Sequence, residues 1–257
     1  MRMKSVTSYL LFVLCVVPGI ALSESGTNPG TSGSVVLDLN HASRTDAEKA
    51  RDRNRQPQQT LAFFGLKDDM RVIELFPGKG WYTKLLGPYL ENKGALYVAI
   101  GTSDVEAKLG EFGLSNVAPT GTVENFKKTD APGYIFTIDR LDLGQTDVDL
   151  VVTFRNAHNL TSDTRGLLNK AVFDALKLGG IYGIIDHTKR HMEASSAETW
   201  RRTDPVQIIK EAVAAGFEFV DYLSIHARPE DGLKFGTKHE SLVNETDRYT
   251  LKFRKPK

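Results

Sequence analysis

Val72-Ile73-Glu74-Leu75-Phe76-Pro77-Gly78-Lys79-Gly80 is the stretch whose reading decides the fold. Arg71 to Phe76 is a short apolar run broken only by Glu74, as expected of a buried strand. Gly78 and Gly80 can adopt backbone angles that a side chain forbids, and they leave room for a ligand to come close. Trp81 to Leu90 then carries Leu85, Leu86 and Leu90 at helical spacing. A strand, a glycine turn and a helix N-terminus at the carboxyl edge of a parallel sheet are the parts of a nucleotide-type site. The same stretch also reads as a strand-turn-helix with no ligand, and one glycine motif does not separate the two.

Working downstream, Gly94 to Ile100 is predicted as the second strand and Asp104 to Phe112 as a short helix. Gly113 to Gly133 lacks periodicity and reads as largely loop. Tyr134 to Ile138 is the candidate third strand, followed by Asp139 and Asp142. Asp147 to Phe154 is a strand with an acidic start, and Arg155-Asn156-Ala157-His158-Asn159 stands directly after it. Ligands bind at the carboxyl edge of open α/β sheets. Arg, Asn and His together at that edge are more than a turn needs. Asn156 alone would be a turn residue, and a lone His is more often structural than catalytic.

Leu167 to Leu178 is predicted as an amphipathic helix ended by Gly179-Gly180. Ile181 to His187 is the fifth strand, with Asp186 and His187 at its carboxyl end. Parallel neighbours lie roughly 5 Å apart, so side chains leaving two adjacent strand ends can share a pocket. Where the strands ending at Phe154 and Ile185 are neighbours, His158, Asn156, Asp186 and His187 are expected to line one cleft with Gly78. His187 and His191 are four apart, but they follow a strand and lack an intervening Glu, so no metal site is predicted. Thr203 or Asp204 caps a helix over Val206 to Ala215 with Pro205 in its first turn. Phe217 to Tyr222 and Arg248 to Phe253 are the last strands, joined by a long polar connection, Arg228 to Thr246.

Upstream, Met1 to Ser23 reads as a secretory signal peptide: Arg2 and Lys4, the apolar run Tyr9 to Val17, then Ala21-Leu22-Ser23. The one cysteine, Cys15, lies inside it, so the mature chain has neither disulfides nor thiol chemistry. Residues 24–40 are expected to be a flexible tether, and 41–257 a single domain. His41 to Gln56 is dense in charge of both signs, which usually marks a solvated helix. The alternative is that some of its arginines close over the ligand mouth. Pro57 and Gly65 bound a helix over Gln58 to Phe64. A net charge of +1 leaves no strong field to attract nucleic acid or an anionic membrane.

The opening stretch resembles motif I of the class I S-adenosylmethionine-dependent methyltransferases. Glu74, Gly78 and Gly80 match that motif, and Phe76 stands where the family's first glycine would be. Asp147 to Phe154 resembles motif IV, and Leu176 to Gly180 resembles the family's late helix-turn-strand junction. In the family the second strand normally ends in an acid that holds the ribose hydroxyls. Here Ile100 occupies that place and Asp104 follows four residues on. More narrowly, Pro77 to Thr83, Arg155 to Asn159 and Thr246 to Tyr249 resemble a group of exported predicted methyltransferases.

The resemblance implies an α/β, Rossmann-like class I methyltransferase fold. Its sheet would be seven-stranded and mostly parallel, with helices on both faces and an antiparallel last strand. It implies S-adenosylmethionine as cofactor, held by Glu74, Phe76, Gly78, Gly80 and Asp139. His158, Asn156, Asp186 and His187 would face the acceptor, an unknown small-molecule or exported substrate in the periplasm or outside the cell. The alternative is a non-catalytic ligand-binding protein on the same fold, favoured by Ile100, Phe76 and the export signal. A hydrolase would need a nucleophile motif that is not seen. Neither nucleic acid nor, after signal cleavage, a membrane is an expected partner, and the oligomeric state stays open.

Overall fold

The computed structural model describes residues 35–131 and 133–257. The predicted signal peptide and the first part of the tether lie outside the described residues. Seven strands make the main sheet: β1 Arg71–Leu75, β2 Ala95–Ala99, β3 Val117–Pro119, β4 Val148–Phe154, β5 Leu176–His187, β6 Glu218–Tyr222 and β7 Arg248–Arg254. Their spatial order is β6-β7-β5-β4-β1-β2-β3. β3 to β2 to β1 to β4 to β5 pair in parallel, and β7 runs antiparallel to both β5 and β6. This is the mostly parallel sheet expected of the class I fold.

The central strands are apolar on both faces because both faces are covered. Val72, Leu150 and Val152 pack on one side against Leu61 and Phe64 of α1 (Pro57–Phe64) and Leu85, Leu86 and Leu90 of α2 (Thr83–Leu90). Ile73, Leu75 and Val151 pack on the other against Leu168 and Val172 of α3 (Ser162–Ala175) and Ile208 and Ala212 of α4 (Pro205–Ala214). Each fully buried Leu or Val contributes on the order of 1.5–3 kcal/mol. β5 carries Gly183 where α1 crosses it: a Cβ there would sit 2.8 Å from the Phe64 ring. The caps match the expectations. Gly65 ends α1 at φ 81°, and Asp204 Oδ1 accepts from Val206 N at 2.9 Å to start α4.

The third strand differs from the expectation. It is Val117–Pro119, and Tyr134 to Ile138 is not in the main sheet. Pro119 cannot donate a ladder bond, which an edge strand tolerates. Phe136–Thr137 pairs with Lys127–Lys128 instead, and Thr122–Glu124 pairs with Arg140–Asp142. These two antiparallel pairs form a flap between β3 and β4.

Residues 35–40, expected to belong to the tether, include core residues. Val35 and Leu37 are only 6% and 5% exposed and belong to the core under α1 and α2. The long connection after β6 is also more ordered than its polarity suggests. It contains short helical turns at Ser224–His226 and Glu240–Leu242, and its Asp231 is buried against Arg202. Among the described residues no helix is long and apolar enough to cross a membrane.

Candidate functional site

Three neighbouring strands end in the same unusual way. Phe76 after β1, Ile100 after β2 and Arg155 after β4 have φ of 51°, 65° and 64°. The left-handed region costs a non-glycine residue roughly 1–2 kcal/mol. Such strain is concentrated at binding sites, where the surrounding structure enforces it. Here Phe76 N donates to Ala99 O at 2.9 Å and Arg155 N to Ile185 O at 2.6 Å.

The two motif glycines do different work. Gly78 is exposed at φ 56°, and a Cβ on it would meet nothing within 4 Å. The space above it is free for a ligand. Gly80, at φ 80°, would place a Cβ 2.9 Å from Val105 Cγ2, so it is needed for packing. Glu74 is 3% exposed and accepts from Thr83 Oγ1 at 2.6 Å. Burial pushes its carboxyl up to about 8, against the pull of Thr83 and the Arg55 charge. Glu74 therefore ties β1 to α2 from within and does not line the loop.

Asp139 stands exposed on the flap, bonded to Asn125 Nδ2 at 2.8 Å. What reaches the glycine loop from the flap is aromatic. Phe126 lies 6.3 Å from Phe76 and 4.8 Å from Phe136, centre to centre, and is 40% exposed. Sequence reading passed over Phe126. Its only signal was an aromatic residue inside an otherwise polar, aperiodic stretch.

At the ends of β4 and β5 the expected cluster forms. His158 Nδ1 lies 2.6 Å from Asp186 Oδ1, and the His158 backbone N–H donates to Asp186 Oδ2 at 2.8 Å. Both side chains are fully buried. An ionised Asp186 holds the ring proton on Nδ1 and leaves Nε2 with a free lone pair. Nε2 is buried and has no partner among the described residues. His158 lines a cavity of about 640 Å³ together with Trp200, Arg201, Thr203, Arg165 and Ile208. That size suits a small-molecule ligand.

His187 sits beside the pair, ring centres 5.5 Å apart, with Nδ1 2.9 Å from Thr246 Oγ1. Burial first, then the charge His158 carries when protonated and those of Arg155, Arg248 and Arg202, push it well below its ordinary value. Asn156 is spent on its own turn, donating to Phe154 O at 3.1 Å. Of the four residues expected on the acceptor side, only His158 lines the cavity, and Gly78 does not. Ligand atoms of His158, Asp186 and His187 come within 4.8 Å of one another. The guanidiniums around them disfavour a cation there.

The charge-dense segment is not one solvated helix. It forms helical turns at Asp46–Lys49 and Asp52–Arg55, and Arg44 and Arg55 are buried. Arg44 pairs with Asp52 at 2.5 Å, and Glu48 pairs with Lys84 at 2.9 Å. Trp81 Nε1 donates to Glu48 O at 3.1 Å, and the Arg44 and Arg55 guanidiniums lie 5.1 and 4.2 Å from its ring centre. Arg248 Nη2 donates to Asn54 O at 2.6 Å. The segment is thus fixed to the starts of α2 and β7, across the carboxyl edge of the sheet.

No family model and no curated protein matches the sequence. Solved structures do resemble it. A SAM-dependent methyltransferase from Aquifex aeolicus aligns at TM-score 0.56 and 18% identity, over 80% of this chain and 93% of that one. The [4+2]-cyclase SpnF aligns at 0.55 and 17%, over 79% and 80%. Human N-acetylserotonin methyltransferase in complex with SAM aligns at 0.53 and 14%, over 82% and 54%. At these identities the likeness is one of fold, and one of the three carries out a cyclisation.

Proposed function

We propose that the protein is an S-adenosylmethionine-dependent methyltransferase in which His158 is the general base. One observation carries the reading: a single sheet edge presents both an open glycine loop and a buried His–Asp pair facing a cavity. The residues fit the cofactor at Gly78, where space is open, and at Phe76 and Phe126, whose rings give adenine an apolar face. Gly80 shapes the loop, and Asp104, which shares a cleft with Lys79, is available to the ribose hydroxyls in place of Ile100. The cofactor, when bound, supplies an electrophilic methyl group. The chain's part is to orient the acceptor in the cavity and to take its proton at His158 Nε2, while Asp186 steadies the cation that forms. Alignment of acceptor and methyl for in-line displacement supplies much of the remaining rate.

Calorimetry of the purified protein with S-adenosylmethionine tests this. Saturable binding supports it. No binding at millimolar ligand overturns it and leaves the second reading, a ligand-binding protein on the same fold. Ile100 favours that second reading, since it is buried where a hydrogen-bonding acid is needed.

We also propose that residues 1–23 are an export signal and that the substrate is met in the periplasm or outside the cell. Protein from its native host with an intact Met1, seen by mass spectrometry, would contradict this.

A further inference from the structure

Two sets of arginines stand out, Arg44, Arg55, Arg202 and Arg248 buried and Arg155 and Arg165 half-buried. Arg44, Arg165 and Arg202 each face an acid: Asp52 at 2.5 Å, Glu211 at 2.6 Å and Asp231 at 2.8 Å. Arg55, Arg155 and Arg248 gather around Tyr82 and Phe154 at the carboxyl edge. Among the described residues none of these three lies within 4.0 Å of a carboxylate. Asp186 acts on Arg155, and Asp247 and Glu245 on Arg248, only at longer range. Arg248 uses Nη2 on Asn54 O, while its Nε is buried with no partner.

Like charges held dry beside one another are costly. Burial, and then the Arg155 charge, push Arg55 down to about 8, and burial with Arg51 and Arg248 pushes Arg155 down to about 10. A guanidinium keeps its proton, so this cost is relieved by a counter-charge and not by deprotonation. The fork of donors on each arginine matches two oxygens on one centre. The space between them is about 10 Å³, room for roughly one water-sized group. Only the leading charged oxygens of an anion enter that space, and the rest of the group stays outside it.

We infer that Arg55, Arg155 and Arg248 form a receptor for a single carboxylate or phosphoryl group of the bound ligand. The inference does not depend on methyl transfer. The group can belong to the acceptor or to the amino-acid end of the methyl donor.

The test is thermal unfolding and calorimetry of the full chain in inorganic phosphate, in acetate and in chloride at equal ionic strength. Phosphate or acetate is expected to raise the wild-type midpoint above chloride. Arg155→Gln is expected to unfold at a higher temperature than wild type in chloride, because one of the repelling charges is gone. It is also expected to bind phosphate about ten- to a hundredfold more weakly. Arg55→Gln serves as the second variant for affinity and is expected to weaken phosphate binding alike, while it also loses its stack on Trp81. Equal midpoints in all three salts, an unchanged phosphate response in both variants, or Arg155→Gln less stable than wild type in chloride would overturn the inference. Repeating the titration with S-adenosylmethionine present separates the sources. A lost phosphate response assigns the site to the donor, and a retained one assigns it to the acceptor.

Discussion

Asp186 binds His158 twice: one carboxylate oxygen holds the ring Nδ1 at 2.6 Å and the other holds the backbone nitrogen at 2.8 Å. The same carboxylate also accepts from His187 N at 2.7 Å. A single side chain thus sets both the ring's tautomer and the loop that carries it.

This double grip separates chemistry from stability. His158→Gln is expected to lower the methyl-transfer rate by about a hundredfold or more while S-adenosylmethionine still binds. Asp186→Ala is expected to lower the unfolding free energy by roughly 3 kcal/mol, because a buried pair and two loop bonds go with it. Rate assays and urea denaturation of the two variants check this. Equal stability losses in both would make His158 a structural residue.

The two loop glycines should respond differently. Gly78→Val is expected to abolish S-adenosylmethionine binding at a stability cost of about 1–2 kcal/mol from its positive φ. Gly80→Val is expected to destabilise further, since Val105 already stands 2.9 Å from where its Cβ would go. Calorimetry for the first and thermal unfolding for both give the comparison.

Glu74 gives stability a pH dependence. Its folded carboxyl is held up at about 8, and the unfolded value is near 4.5. Between the two the folded chain keeps a proton that the unfolded chain has lost, so stability falls as pH rises. His226, pushed down to about 4, and His187, pushed well below its ordinary value, act in the opposite sense, mostly below 6.5. From pH 6.5 to 8 the protein should therefore lose about 1 kcal/mol, and Glu74→Gln should remove that loss. Denaturant titrations at several pH values measure it. A slope of the same size in the variant would show that another group is responsible.

The N-terminal residues Val35 and Leu37 should matter to the core. A chain starting at Asn40 lacks the buried Val35 and Leu37, and it should be roughly 3 kcal/mol less stable than one starting at Val35. Urea midpoints of the two chains test this, and equal midpoints would count against it.

The sheet was legible because its buried strands are short apolar runs punctuated by glycine, as at Val72 to Gly80 and Ile181 to His187. Val117-Ala118-Pro119 carries no such signal: three residues, one a proline, are strand only because β2 lies alongside. Val35 and Leu37 were hidden in a stretch rich in Ser and Gly, where two isolated apolar residues have no period. His158 and Asp186 could be paired from strand adjacency alone. The burial of Arg55 could not, since a charged residue in a charged segment looks solvated until the far end of the chain is in place. Glu74 was misleading for the opposite reason. Its position matches a ligand-facing acid, but the alternation of β1 turns it toward Thr83.

The strap over the carboxyl edge also sets when the site can exist. Asn54 Nδ2 donates to Asn244 O across 190 residues, Arg248 reaches Asn54 O across 194, and Gln56 Nε2 reaches Ile225 O across 169. These bonds join residues 54–56 to residues 225–248, two ends of the described domain. During translation β1, its glycine loop and α2 are complete long before the residues that hold the strap down leave the ribosome. Contacts of such separation form late and slowly. A chain interrupted before Arg248 has the glycine loop but lacks the bonds that fix the segment above it, so the surroundings of the loop are finished only once β7 has been made.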